Sequence, residues 1–250
     1  MLTVATRQDL LGDALGDADT MDIDFGKPIG PGYEAYVTSG WGQARAGAVQ
    51  HPGMDFRAKI GTPVTAVQAG MVINTGFDDK GGGKWIGIQH AKGWVSRYFH
   101  LSQIGVDKGQ SVAKGQAIGK SGDTGIGNSA PHLHFDLKIA PEMVPLIERE
   151  VGRPRTGPLP LRDGRAAVPA ESWIPVDRYD RDVVTDARKN AIPLYHERRH
   201  LPAPPGAGIS PQTVAAIGGA GAVMVLGGAM LYRFVLGPRP GKKRPRRSTS

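Results

Sequence analysis

Short runs of β-branched residues, separated by glycine, dominate the chain from Tyr36 to Ile139. Each run has the length of one strand, and none shows the 3.6-residue periodicity of an amphipathic helix. The runs are Thr62–Val67, Met71–Thr75, Trp85–Gln89, Trp94–His100, Val112–Ile118 and His132–Ile139. Regular short strands joined by glycine-rich turns are typical of antiparallel sheets. The pattern predicts a mainly β domain over residues 34–140, an antiparallel two-sheet sandwich or open barrel.

The composition supports a turn-rich fold and limits the chemistry of any metal site. The 36 Gly and 20 Pro among 250 residues favour a β protein with a linker over a helical bundle. Cysteine is absent, so disulfides are excluded and metal ligands must come from His and carboxylates. The formal net charge of +8 is unevenly placed, because residues 1–26 hold six Asp against one Arg. The net charge therefore says little about the folded part.

Two polar segments flank the predicted domain. Residues 1–33 are acidic, and they predict a partly disordered leader without a recognisable signal peptide. Residues 141–210 hold eleven prolines among many charged residues, and they predict a Pro/Arg-rich linker. Within this linker, Glu142–Val151 and Val183–Asn190 are compatible with short helices.

An apolar stretch close to the end of the chain predicts a membrane span. Val214–Leu231 holds no charge, and seven Lys/Arg with no acidic residue follow it. This pattern predicts a single transmembrane helix over residues 211–236, with the folded domain outside the cytoplasmic membrane. The basic tail, residues 237–250, is expected to bind anionic lipid or nucleic acid. Small residues such as Ala215 and Gly219 predict weak self-association of the helix.

Two histidine-containing motifs predict a metal site. His132 and His134 lie one residue apart in a β-favouring run, so both imidazoles share one face of a strand. Pro-Gly between His51 and Asp55 indicates a turn, which brings an imidazole and a carboxylate together. His51, Asp55 and one histidine of the pair supply three ligands. The fourth position stays open for water, which is the arrangement of a catalytic zinc.

The strand that ends at His100 offers a further candidate. Strand alternation places Tyr98 and His100 on one face and Arg97 and Phe99 on the other. We therefore expect His100 to face a groove while Phe99 packs in the core. Tyr98 is a weaker candidate that we interpret as packing, and His90 is interpreted as a structural residue at a turn.

Three motifs, in their order and spacing, resemble the lysostaphin/LytM-type zinc endopeptidases that cut peptidoglycan cross-bridges. The motifs are His51-x-x-x-Asp55, Tyr98-Phe99-His100-Leu101-Ser102 and His132-Leu133-His134-Phe135. The resemblance also includes glycine-rich segments, from Ser39-Gly40-Trp41-Gly42 to Thr124-Gly125. It covers about residues 38–138.

The resemblance implies a set of roles for five residues. His51, Asp55 and His134 are expected to hold one zinc ion per chain. His132 and His100 are then the pair beside the water that the zinc activates. Which histidine takes which role stays open, and we favour His132 as the general base and His100 as the oxyanion stabiliser.

The function implied is a zinc-dependent endopeptidase that hydrolyses amide bonds in the peptide cross-links of peptidoglycan. The alternative is a non-catalytic module of the same fold that binds the cell wall or activates other hydrolases. Polyglycine bridges and D-alanyl–diaminopimelate links both remain possible substrates. We expect a single-pass membrane protein whose catalytic domain faces the periplasm or wall. A bacteriophage virion, in which the enzyme acts during entry or lysis, is one such setting.

A second metal-like string near residue 200 is interpreted as coincidence. His196-Glu197-Arg198-Arg199-His200 matches the HExxH pattern of zincin proteases, which requires a stable helix. Pro193 and Pro202 flank the string, and no apolar stripe supports a helix there.

Overall fold

A computed structural model describes residues 23–45, 50–155 and 158–199 of the chain. Within them the strands are β1 (Tyr36–Ser39), β2 (Met54–Arg57), β3 (Pro63–Thr65), β4 (Gly70–Asp78), β5 (Gly83–Gln89), β6 (Val95–Ile104), β7 (Ser111–Val112), β8 (Ala117–Ser121), β9 (His132–Ile139), β10 (Leu161–Arg162), β11 (Arg165–Val168) and β12 (Arg178–Tyr179). The α-helices are α1 (Val144–Val151), α2 (Arg181–Lys189) and α3 (Tyr195–Arg198). Short 3₁₀ turns lie at Ala91–Gly93, Pro141–Met143 and Ala170–Ser172.

The described strands form one branched sheet. Its main path runs β12-β1-β2-β9-β6-β5-β4-β7, while β11 and β10 extend from β9, and β8 and β3 extend from β6. The described pairs are antiparallel, except that β1 and β12 are parallel. The prediction of a mainly β fold is therefore confirmed. The prediction of two separate sheets is wrong, because β6 and β9 each bind three neighbouring strands and so join all the branches.

Strand β6 changes partner in the middle of its length. It pairs with β9 up to Phe99 and with β8 from Leu101 onward. Its pairing with β5 also shifts here, so that the single residue Trp85 stands across from Phe99 and His100. His100 has φ 61°, a left-handed conformation that is unusual for any residue except glycine. This β-bulge bends the strand and ends the simple alternation of its side chains.

Residues 158–199 pack on the sheet, which departs from the linker predicted for residues 141–210. Strand β11 pairs with β9, and β12 pairs with β1. Trp173 and Ile174 are fully buried, and the Trp173 ring lies 5.0 Å from that of Trp94. A proline cannot donate a backbone hydrogen bond, but the apolar residues between the prolines remain free to bury against the sheet. Helices α1 and α2 correspond to the two short helices expected.

The described end of the predicted acidic leader also contributes to the core. Phe25 and Ile29 are buried, although the sequence around them is polar. The Phe25 ring contacts Trp94 edge to face, with 5.3 Å between centroids, a favourable aromatic geometry. Trp94 thus packs against both the residues that precede the sheet and those that follow it.

The predicted membrane segment cannot be compared with the structure. Residues 1–22, 200–210, the span 211–236 and the tail 237–250 lie outside the described residues. Among the helices that the structure describes, none has the length and apolar character needed to cross a bilayer.

Candidate metal centre

His51, Asp55 and His134 meet where strand β2 lies beside β9. Asp55 and His134 are directly opposite each other in this antiparallel pair, so their side chains share one face. His51 precedes β2 and returns to the same point through the Pro-Gly turn. Gly53 is required in this turn because a Cβ there would lie 2.1 Å from the carbonyl oxygen of Phe135. The turn predicted from the sequence therefore brings the ligand-bearing chain directly against β9.

The three candidate ligand atoms are mutually close. His51 Nε2 lies 3.1 Å from Asp55 Oδ1 and 2.9 Å from His134 Nδ1, while His134 Nδ1 lies 2.8 Å from Asp55 Oδ1. A tetrahedral zinc ion with ligands at about 2.0–2.1 Å sets its ligand atoms roughly 3.3 Å apart. The observed separations are a few tenths of an ångström shorter. The residues are therefore placed to act as three ligands of one ion.

The protonation of the triad indicates that a cation belongs between its members. His51 Nδ1 lies 2.7 Å from the carbonyl oxygen of Gly40, which only accepts hydrogen bonds, so Nδ1 carries the proton. Nε2 of a neutral His51 then presents a lone pair to Asp55. Burial opposes ionisation of Asp55, but its contacts with His134 and His51 outweigh burial and hold the pKa of this carboxyl well below its usual range. A lone pair that faces a carboxylate fits a zinc ion between them.

Arg45 fixes the orientation of Asp55. Its guanidinium donates to Asp55 Oδ2 and also to Ser39 Oγ, at 2.8 Å. Oδ1, on the other side of the carboxylate, is thereby left to the metal. Outer contacts of this kind orient metal ligands and tune their affinity. Arg45 was not predicted from the sequence, because a single arginine in a loop belongs to no motif that would identify it.

His132 and His100 lie together beside the triad. Their ring centroids are 4.7 Å apart, and His132 Nε2 is 3.8 Å from Asp55 Oδ1. His132 Nδ1 donates to the carbonyl of Ala130 at 2.8 Å, and His100 Nδ1 to that of Thr124 at 3.0 Å. These carbonyls fix the proton on Nδ1 in both rings, so each neutral ring keeps a lone pair on Nε2. Burial, aided by the neighbouring His132 and His134, lowers the pKa of His100 to about 4, so His100 is neutral at pH 7.

The two sides of β6 differ from the prediction. Phe99 is buried, as expected, but it also lines a groove of about 440 Å³ together with Arg97, His100 and His134. The bulge at His100 is the physical reason, since it brings two consecutive side chains to the same groove. Tyr98 is fully buried and accepts a hydrogen bond from the Val67 amide at 2.9 Å, which confirms its interpretation as a packing residue.

A smaller pocket of about 260 Å³ opens directly above the triad. Ile126 and Ser129, from the loop between β8 and β9, form part of its wall together with Arg45. The groove and the pocket share His100 and His134. An extended substrate can therefore approach the metal centre from two directions.

The remaining histidines considered in the sequence have other environments. His90 is buried and contacts Ser96 Oγ at 2.7 Å and the Ala69 carbonyl at 3.0 Å, and burial lowers its pKa to about 4. It has the structural role that was expected. His196 lies exposed on α3, a single turn that ends at Arg198, and His200 lies outside the described residues. The helix that an HExxH site requires is thus not formed by the described part of this string.

Comparisons with known proteins agree with this centre. Residues 49–145 match the sequence profile of peptidase family M23. The peptidoglycan DD-endopeptidase ShyA of Vibrio cholerae is 45% identical over 89 residues, which cover 36% of this chain and 20% of ShyA. The glycyl-glycine endopeptidase ALE-1 of Staphylococcus capitis is 46% identical over 87 residues, 34% of this chain and 24% of ALE-1. This chain thus spans about a fifth to a quarter of the length of these curated relatives.

A solved structure is also similar to part of this chain. The catalytic domain of the antimicrobial peptidase lysostaphin from Staphylococcus simulans is 40% identical, and the match covers 41% of this chain and 79% of that domain, with a TM-score of 0.39. The matched profile contains His51, Asp55 and His134, the three residues that converge in the structure. Residues 49–145 of this chain therefore belong to peptidase family M23.

Proposed function

We propose that this chain is a zinc-dependent endopeptidase that hydrolyses amide bonds in the peptide cross-links of peptidoglycan. The observation that carries the proposal is the convergence of His51, Asp55 and His134 within 3.1 Å of one another, beside the histidine pair His100 and His132. The relative ShyA, which is named as a peptidoglycan endopeptidase, supports the substrate class. The complete set of five residues argues against the alternative, a non-catalytic wall-binding module.

The zinc ion would be held by His51 Nε2, Asp55 Oδ1 and His134 Nδ1. When bound, it supplies Lewis-acid chemistry that polarises a peptide carbonyl and eases the deprotonation of water. His51 and Asp55 are held from behind by the Gly40 carbonyl and Arg45, so the ligand geometry exists before substrate arrives.

The histidine pair would move the proton. His132 is suited to be the general base, because its Nε2 carries the lone pair and lies next to the triad. It takes a proton from the attacking water and returns it to the amine nitrogen as the C–N bond breaks. His100 also presents an acceptor at Nε2, so it cannot donate to an oxyanion before it gains a proton. Its geometry therefore favours orientation of the attacking water over the oxyanion role that we first expected.

The cross-link that is cut remains open between two chemistries. ShyA is named for DD-endopeptidase activity and ALE-1 for glycyl-glycine endopeptidase activity, and this chain is 45% and 46% identical to them. Identity therefore does not distinguish between the two bonds. Mass spectrometry of muropeptides released from walls with polyglycine bridges and from walls with direct cross-links assigns the bond.

The same assay tests the proposed function. We expect release of cross-link products by the purified chain, loss of release after chelation, and recovery when zinc is restored. His134→Ala serves as the control without metal. Product release that survives both chelation and this substitution would contradict the zinc assignment, and wall binding without release would support the non-catalytic alternative.

We further propose that residues 211–236 anchor the enzyme in a membrane, with the catalytic domain facing the cell wall. The uncharged run Val214–Leu231 and the basic residues after it support this proposal. Expression of the full chain and of a chain that ends at residue 210, followed by alkaline extraction of membranes, tests it. We expect only the full chain to stay with the membrane pellet; equal extraction of both would refute the anchor.

A further inference from the structure

The peptide group between Gly40 and Trp41 links a metal ligand to a buried carboxyl group. Its carbonyl oxygen accepts a hydrogen bond from His51 Nδ1 at 2.7 Å. Its N–H group, on Trp41, donates to Oε1 of Glu171. One planar amide therefore connects Glu171 to the imidazole whose other nitrogen faces the metal position.

Glu171 has no role in the chemistry proposed above, yet its burial has a high energetic cost. The residue is 2% exposed, and burial raises the pKa of its carboxyl to about 7. Within the described residues its Oε2 atom has no hydrogen-bond partner. A buried polar group without full compensation costs on the order of 1–3 kcal/mol. The carboxyl is thus retained in an unfavourable place, with its Oε1 atom directed at the Gly40–Trp41 peptide.

The packing at Gly40 shows that this contact is close. A Cβ on Gly40 would lie 2.5 Å from Glu171 Oε1 and 3.0 Å from Val183 Cγ1 of α2. Only glycine therefore lets the loop approach the carboxyl group. The same loop is also hydrogen-bonded to α2, since Gln43 Nε2 donates to Asp186 Oδ2 at 3.2 Å.

We propose that Glu171 is a positioning residue for the metal ligand His51, acting through the Gly40–Trp41 peptide. Acceptance of the Trp41 N–H by Glu171 polarises the amide and strengthens its carbonyl as an acceptor, because hydrogen bonds in a chain reinforce one another. The stronger carbonyl holds the proton on His51 Nδ1 and increases the basicity of Nε2. The effect needs only an acceptor at Oε1, which both protonation states of Glu171 supply.

This inference rests on the proposed zinc site, and it extends that site beyond the family-matched residues 49–145. Glu171 belongs to the 3₁₀ turn Ala170–Ser172, in the part of the chain predicted as linker. Ser39 Oγ also lies 3.2 Å from His51 Nδ1, but it donates to Gln43 Oε1 and so presents an acceptor to the ring. Both contacts therefore keep the proton on Nδ1.

The test compares zinc affinity among three variants of the full chain, by competition with a chromophoric chelator. Glu171→Leu removes the acceptor with little change in volume, and we expect zinc binding to weaken by about 10–100-fold. Glu171→Gln keeps an acceptor oxygen, and its affinity should stay within about threefold of wild type. Ser172→Ala changes the same turn, where Ser172 Oγ bonds the Pro193 carbonyl, and should bind zinc as the wild type does.

Two further measurements separate positioning from a merely structural role. Urea unfolding in excess chelator gives the stability of each metal-free variant, and the ¹⁵N shift of His51 Nδ1 reports its hydrogen bond. We expect that shift to change in Glu171→Leu and not in Ser172→Ala. Should Glu171→Leu fail to fold, Gly40→Ala displaces the carboxyl with Glu171 intact and should weaken zinc binding in the same way.

No outcome depends on peptidoglycan hydrolysis, so failure of the inference and failure of the proposed function are distinguishable. Equal zinc affinity in wild type and in the folded Glu171→Leu or Gly40→Ala variant overturns the role of Glu171 and leaves the zinc site intact. Absence of zinc binding by the wild type overturns both. If Ser172→Ala weakens zinc binding as much as Glu171→Leu does, the effect comes from loosening of the turn. This result would also overturn the proposal.

Discussion

Strands β9 and β6 both bring a histidine to the metal centre, but they do so in opposite ways. β9 places His134 by regular pairing, directly across from Asp55 of β2. β6 places His100 by a break in pairing, a bulge with φ 61° at a residue that is not glycine. Regular geometry thus holds the metal ligand, while strained geometry holds the neutral histidine beside it. Strain of this kind persists only where the surrounding structure enforces it, often at functional sites.

The largest effect is expected on the regular side of this comparison. His134→Ala removes one of three ligands, so zinc binding and hydrolysis should both fall below detection. Zinc content by mass spectrometry of the native protein and muropeptide release measure the two losses. Retention of one zinc per chain in this variant would break the assignment of His134.

Replacement of either histidine beside the triad, His100 at the bulge of β6 or His132 at the start of β9, should impair catalysis without loss of metal. His132→Ala and His100→Ala are each expected to lower kcat by about 10²–10⁴, the usual contribution of a positioned proton acceptor. Their zinc affinity should remain within a few-fold of wild type, since neither Nε2 belongs to the triad. Zinc titration beside steady-state kinetics makes the comparison. A full loss of zinc in His100→Ala would show that this histidine is a ligand.

Two glycines allow the same comparison without removal of any site residue. A Cβ at Gly53 would lie 2.1 Å from the Phe135 carbonyl and should separate the ligand turn from β9. A Cβ at Gly83 would lie 2.2 Å from the carbonyl oxygen of Thr124, which holds His100. We expect Gly53→Ala to weaken zinc binding. Gly83→Ala should instead lower kcat, on the order of 10²-fold for a displacement near 1 Å, with zinc retained.

The two glycine variants are expected to show different defects, Gly53→Ala in zinc affinity and Gly83→Ala in kcat. Circular dichroism and unfolding curves confirm that both glycine variants fold before their zinc affinity and kcat are compared. If Gly83→Ala loses zinc while Gly53→Ala keeps it, the division of the site into a ligand side and a proton-transfer side is wrong.

The smallest expected effect concerns the strain itself. At φ 61° a side chain costs about 1–2 kcal/mol, so His100→Gly should be more stable than His100→Ala by about 1 kcal/mol. Gln103, an exposed position of β6 without a positive φ, supplies the control pair. There glycine should be less stable than alanine by about 0.5–1 kcal/mol. Urea unfolding measures both differences, and the same sign at both positions would refute strain at His100.

The sequence predicted the regular side of the site and missed the irregular one. Alternation along β9 and a Pro-Gly turn after His51 were sufficient to predict a site made of His51, Asp55 and one histidine of β9, because both follow from local backbone geometry. The family resemblance then selected His134. The same alternation placed Phe99 and His100 on opposite faces, whereas both line one groove. A bulge depends on the register of two neighbouring strands, and no glycine marked this one in the sequence.

The residues that support the metal ligands could not be predicted from the sequence, for a different reason. Arg45 and Glu171 belong to no motif, and Glu171 lies 120 residues after His51, in a proline-rich stretch predicted as linker. The contact of Glu171 exists only because residues 158–199 fold back onto the loop at Gly40. Contacts between distant segments are set by tertiary packing, which local patterns do not encode.

Reconstitution of the metal-free chain with measured amounts of zinc tests the central claim most directly. Muropeptide release should rise in proportion to added zinc and reach a plateau at one zinc per chain, while His134→Ala stays inactive throughout. Release that is independent of zinc, or that first appears well beyond one equivalent, would contradict a single catalytic zinc held by His51, Asp55 and His134.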